Sequence, residues 1–176
     1  MKREKGIIRE LLGWIVYIVV ILGLTYFIVT FVGVRTRVSG SSMETTLSDS
    51  DQLIVDKISY RFRDPKRYDI IVFPYQYEEN TYYIKRIIGL PGETVEIRDG
   101  KVYIDGSETP LDDSFTPEPP QGDWGPEVVP EGSYFMLGDN RNRSKDSRFW
   151  TNTFVKKEKI LGKAVLRYFP SPKLIK

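Results

Sequence analysis

The sequence predicts a mainly β fold: one N-terminal transmembrane helix followed by a single all-β domain. Two observations predict it. The stretch from Leu11 to Val34, LLGWIVYIVVILGLTYFIVTFVGV, runs for 24 residues without a charge. Beyond it there is no second long apolar run and no internal repeat, and short β-branched and aromatic segments alternate with turn signals instead.

The helix comes first. At 1.5 Å per residue, 24 residues make a helix of about 36 Å, against a bilayer core of about 30 Å. Trp14 and Tyr17 lie near one end, where aromatic residues favour a membrane interface. A cleavable leader has a shorter apolar region and a small-residue cleavage site, and FVGVRTRV supplies no such site. Lys2, Arg3, Lys5 and Arg9 precede the run, and Arg35 and Arg37 follow it. Basic residues accumulate on the cytoplasmic side, so the N-terminus is expected inside. Residues 1–34 are then the cytoplasmic N-terminus and anchor of a single-pass protein of the cell membrane, in contact with lipid. Residues 35–176 form the extracytoplasmic domain.

Six strand segments follow: 51–59, 68–75, 80–90, 93–106, 133–139 and 161–169. Asp99-Gly100 splits the fourth of these, TVEIR before it and KVYID after it, into a hairpin. Residues 107–132 carry Pro110, Pro117, Pro119, Pro120, Pro126 and Pro130 with little apolar periodicity, and are expected to be a surface insertion outside the core.

Composition removes several chemistries. The net charge is +2 and no basic stripe interleaves with aromatics, so no nucleic-acid partner is expected. Zero Cys excludes thiol nucleophiles and thiolate metal sites, and zero His excludes a Ser-His-Asp triad and the usual catalytic zinc site. Acid-base chemistry must use Lys, Asp, Glu or Tyr, and no metal or cofactor is expected.

Three stretches carry chemistry-bearing residues. In TYYIKRIIGLPGE, alternation places Tyr83, Lys85 and Ile87 on one face and Ile84, Arg86 and Ile88 on the other. A lysine in such a strand either snorkels to solvent or is desolvated. Desolvation would lower its pKa and leave a neutral amine fit for general-base work. SGSSMETTL, at 39–47, offers Ser39, Ser41 and Ser42 in turn-forming surroundings. LGDNRNRSKDSRFW, at 137–150, packs Asp139, Arg141, Asp146 and Arg148 close together, with Ser144 and Ser147 between them. Such charges can hold a site rigid through ion pairs.

These stretches, with RYDIIVF, occur in a recognisable order behind one anchor. The chain resembles bacterial type I signal peptidases, the Ser/Lys proteases that remove signal peptides from exported proteins, and looks most like their short, single-anchor Gram-positive form. The resemblance covers the anchor and nearly all of the outer domain except the Pro-rich insertion. It implies a membrane-bound serine endopeptidase with the signal-peptidase fold, cutting secreted preproteins after small residues at −1 and −3.

By that resemblance Ser42, the serine before Met43, is the nucleophile, and Lys85 is the general base. Ser144 is the hydroxyl that orients the lysine amine, and Asp139, Arg141, Asp146, Arg148 and Arg86 are structural. Arg86 and Asp139 are expected to pair. Met43, Leu47, Tyr83 and Ile84 match the substrate-binding region. Two positions depart from the family pattern. Thr45 stands where a proline is usual, and Gly40 stands where some relatives have a serine that helps bind the oxyanion. The competing reading is a catalytically inactive, membrane-tethered β-domain that binds partners.

Overall fold

A computed structural model of the chain describes residues 2–27, 33–76, 78 and 80–175, with side chains from residue 10 onward within the first helix. That helix, α1, spans Lys2–Phe27. Its Glu10–Phe27 stretch has a mean hydropathy of 2.0, and none of it is buried against protein. A stretch apolar on all sides and unpacked among the described residues has the character of a bilayer span.

Gly33 and Val34 do not extend the helix, which corrects the expected boundary at Val34. They open the first strand, β1 (Gly33–Arg37), opposite Asp56 and Val55 of β2 (Gln52–Asp56). Val and Gly continue an apolar run as readily as they begin a strand, so the change of element leaves no mark in hydropathy. Residues 28–32 of the same run lie outside the described residues.

After β2 come a short helix α2 (Ser59–Phe62) and the strands β3 (Ile70–Pro74), β4 (Tyr82–Gly89), β5 (Thr94–Arg98), β6 (Lys101–Ile104), β7 (Trp124–Val128), β8 (Ser133–Leu137), β9 (Val155–Lys156), β10 (Gly162–Phe169) and β11 (Lys173–Leu174). The main sheet has eight strands in the order β1-β2-β10-β3-β4-β8-β9, with β11 paired to β10; a second sheet runs β6-β5-β7. Each described pairing is antiparallel. The β5–β6 hairpin turns at Asp99 and Gly100, with φ of 49° and 69°, the left-handed pair that a two-residue turn requires.

The 107–132 segment lies mostly at the surface, but it is not separate from the fold. It supplies β7, which pairs with β5, and Val129, which is fully buried. Leu111, Phe115 and Trp124 pack onto the cluster of Val95, Ile97, Val102 and Phe135. Pro126 is compatible with the strand because β7 lies at a sheet edge, where a missing N–H leaves no neighbour unpaired. The segment's apolar contacts come from a coil rather than a repeating element, so no periodicity reveals them.

Strand β4 is shared between apolar clusters. Ile87 joins Ile71, Phe73, Met136 and Trp150, with Tyr83 packed alongside. Ile88 joins the cluster of Val95 and Phe135, and Ile84 packs against Val38, Met43, Leu47, Leu53 and Ile70. Lys85 and Arg86 sit between these anchor points on a strand that is held from both faces.

Candidate active site

The residues between β1 and β2 form a loop closed at its base by Val38 N–H to Asp51 O (2.8 Å) and Ser50 N–H to Val38 O (2.9 Å). Met43 and Leu47 point down from it into the core, 0% and 1% exposed, and Leu47 N–H bonds Met43 O at 2.8 Å. Gly40 holds φ at +91°, a left-handed conformation that suits glycine, and its N–H donates to Asp49 Oδ1 at 2.9 Å. The chain after β8 grips the loop from the other side. Asn140 N–H donates to Ser42 O (3.0 Å), and Asn140 Nδ2 donates to Ser41 O (3.2 Å). Ser42 is thereby fixed by its backbone, with its half-buried side chain facing β4.

Lys85 reaches it from β4. Its Nζ lies 2.7 Å from Ser42 Oγ and donates to Ile84 O at 3.2 Å. Lys85 is only 4% exposed. Burial pushes the ammonium pKa down to about 8, against the opposing pull of the Asp146 and Asp139 carboxylates. The amine is therefore partly neutral at mildly alkaline pH and is already aimed at a hydroxyl. Geometry and protonation together fit a general base acting on a serine.

Arg86 faces the other way. It holds Asp139 through both carboxylate oxygens, Nε at 2.8 Å and Nη2 at 2.7 Å, with Nη1 on Tyr68 O at 2.9 Å. Arg141 donates to Gly138 O and clasps Asp113 at 2.6 and 2.7 Å. Asp146 accepts from Gly138 N–H at 3.1 Å and from Arg148 at 2.8 and 2.9 Å. Ser147 Oγ accepts the Met136 N–H at 2.9 Å. These contacts tie the 138–148 loop to β4 through Arg86, to the 107–132 coil through Asp113 and to β8 through Ser147, and the same loop presents Asn140 to the serine. Their use is positional, since removing one partner of such a pair leaves an uncompensated buried charge.

Two sequence expectations differ from this geometry. Ser144 Oγ is buried and makes no hydrogen bond with Lys85 in this geometry, where the lysine amine is directed to Ser42 and Ile84. Ser144 packs instead beside Gly138, where an added Cβ would come within 2.2 Å of Ser144 Oγ and 2.5 Å of Ser42 O. Met43 and Leu47 do not line the cleft, because the loop turns both inward against Val38, Leu53 and Ile70. Tyr83 and Ile84 do line it, in a cavity of about 350 Å³ that also contains Ser42 and Lys85.

Sequence reasoning missed Arg37, Arg143 and Lys145, which line the same cleft, and Asn140, which holds the loop. Asn140 and the two cations of 143–145 stand inside a stretch already singled out, so their position was visible though their direction was not. Among the described residues no cluster of three or more acidic side chains is placed to hold a metal.

Comparisons with known proteins fit this arrangement. The family described as signal peptidase, peptidase S26, matches residues 11–169. A signal peptidase I of Leptolyngbya laminosa is 46% identical over 82% of this chain and 73% of its own length. A probable signal peptidase I of Synechocystis is 45% identical over 82% of this chain and 67% of its own. The signal peptidase I P of Bacillus subtilis subsp. natto is 36% identical over 96% of this chain and 93% of its own. Identity is thus higher to the first two, while the third agrees over more of its length. The β domain and these relatives define a serine-type peptidase. The chain belongs to the signal peptidase I family.

Proposed function

We propose that this protein removes N-terminal signal peptides from secreted preproteins by acyl transfer through a Ser42/Lys85 dyad. The observation that carries the reading is the 2.7 Å contact between Lys85 Nζ and Ser42 Oγ on a lysine that is 4% exposed.

Neutral Lys85 takes the Ser42 hydroxyl proton as Oγ bonds to the scissile carbonyl carbon. The oxyanion that forms is met by the backbone N–H of Ser42, because Gly40 brings no hydroxyl to the loop. The lysine, now an ammonium, gives its proton to the leaving amine as the peptide C–N bond breaks. The signal peptide stays esterified to Ser42 until Lys85 deprotonates a water that attacks the ester. The proton then returns to Ser42 Oγ. The substrate lies extended along the cleft beside Tyr83 and Ile84, and small residues at −1 and −3 fit its shallow walls. Anchoring by α1, with the domain on the extracytoplasmic side, places enzyme and substrate in one membrane and raises their effective concentration.

A serine-reactive acylating probe tests the reading. It should label Ser42 in the intact protein, and labelling should be lost in both Ser42→Ala and Lys85→Ala while the domain's circular dichroism is unchanged. Labelling that persists in a folded Lys85→Ala would reject the lysine as base.

A further inference from the structure

The short helix α2 is built to one side of the sheet with its most apolar residue outward. Phe62 is 85% exposed, the largest value among the exposed apolar side chains described. A lone exposed phenylalanine is ordinary on a protein surface. Its position and its neighbours distinguish this one.

Position follows from register. Gly33, the first described residue beyond the apolar helix, pairs with Asp56 across β1 and β2. Phe27 and Gly33 are six residue steps apart, so Gly33 lies within about 22 Å of the helix end even for a fully extended chain. Asp56 then fixes α2 beside itself. Its Oδ1 accepts from Ile58 N–H (2.8 Å) and Ser59 N–H (3.0 Å), and its Oδ2 accepts from the Ser59 hydroxyl. Tyr60 Oη donates to Asp69 at 2.8 Å and holds the turn's inner side against the domain. The outer side therefore stays fixed beside Asp56, whose strand partner Gly33 is within about 22 Å of the helix end.

The neighbours are cationic. Residues 56–66 contain Lys57, Arg61, Arg63 and Lys66 against two acids: Asp56, whose carboxylate is occupied by Ile58 N–H and Ser59 and lies within the field of Arg63, and Asp64, which is paired with Lys157. Arg61 and Arg63 flank Phe62 and are exposed, and neither guanidinium makes a salt bridge among the described residues, Arg63 acting on Asp56 only through its field. An aromatic ring between cations matches the interface of a bilayer, with the ring at the acyl boundary and the guanidinium groups on anionic headgroups.

We propose that α2 is a second membrane contact: Phe62 inserts into the interface, and Arg61, Arg63 and Lys57 bind anionic phospholipid headgroups. The proposal rests on the reading of α1 as a membrane anchor. It fixes the domain by a second point, so that the catalytic cleft keeps one orientation over the bilayer.

The absence of cysteine makes the test clean, because one introduced thiol is unique. Full-length Phe62→Cys, Glu108→Cys and Val20→Cys are each labelled with an environment-sensitive fluorophore. They are reconstituted into phosphatidylcholine vesicles with and without phosphatidylglycerol, carrying a lipid-borne quencher. Label at 62 should be blue-shifted and quenched with phosphatidylglycerol present, whereas label at exposed Glu108 stays aqueous. Quenching at 62 should fall in Arg61→Gln/Arg63→Gln and at high salt, each arginine accounting for roughly a fivefold change in partitioning. A label at 62 that behaves like that at 108, or is quenched equally in neutral vesicles, overturns the proposal. Label at 20 separates this from failure of the anchor reading, since it is quenched whenever α1 is embedded.

Discussion

At the scale of single residues, burial of Lys85 links the domain's stability to the proposed activity. Its folded pKa of about 8 lies below its ordinary value of 10.5. Between those two values the unfolded chain holds a proton that the folded chain does not, so stability from this group rises with pH across that window. Below the window both states carry the charge, and burial costs about 3 kcal/mol. Lys85→Met should therefore raise the domain's unfolding free energy at neutral pH by an amount of that order, and should flatten its rise toward alkaline pH. Denaturant melts at several pH values check this, and an unchanged slope would contradict it. Lys85 was legible because a charged residue interrupts an apolar strand in a chain without histidine. The direction of Ser144 was not, since a hydroxyl placed by loop packing has no signature in residue type.

At the scale of elements, the site depends on three segments meeting: the loop between β1 and β2, strand β4 and the chain after β8. Gly138 is where two of them touch. A methyl group there would meet Ser144 Oγ and Ser42 O. Gly138→Ala should cost about 1–3 kcal/mol of stability through overpacking. It should also cost about a hundredfold in kcat, because displacing Ser42 by a fraction of an ångström spoils its alignment. Thermal melts with steady-state rates on the same variant read both, and wild-type kcat would contradict the assignment. The six sequence segments all contain strands, and alternation in β4 assigned Lys85 and Arg86 to opposite faces. Strands β1 and β7 were hidden for different reasons. The first merges with the apolar helix run, and the second carries Pro126 in a Pro-rich coil. Met43 and Leu47 illustrate a further limit: two apolar residues in a loop fill either a cleft or a core, and only the turn of the chain decides. The Arg141–Asp113 pair spans 28 positions into that coil and had no local pattern to announce it.

At the scale of the whole molecule, one apolar helix and one β domain are joined through a few residues, and the chemistry lies on the domain side. Basic residues flank both ends of the apolar run, so charge counting alone leaves its orientation weakly determined. The proposed topology predicts that protease added to sealed inside-out vesicles spares residues 35–176, whereas protease added to right-side-out vesicles digests them. The reverse pattern would invert the assignment. The central claim is that buried, neutral Lys85 activates Ser42, and the pH profile of preprotein cleavage tests it most directly. Cleavage of a preprotein with small residues at −1 and −3 is measured for wild type and Lys85→Ala in the same membranes, across acidic to alkaline pH. The wild-type kcat/KM should fall about tenfold per pH unit below a midpoint near pH 8, and Lys85→Ala should show no cleavage at any pH. A wild-type rate that is flat into the acidic range, or a variant that still cuts, would contradict the account.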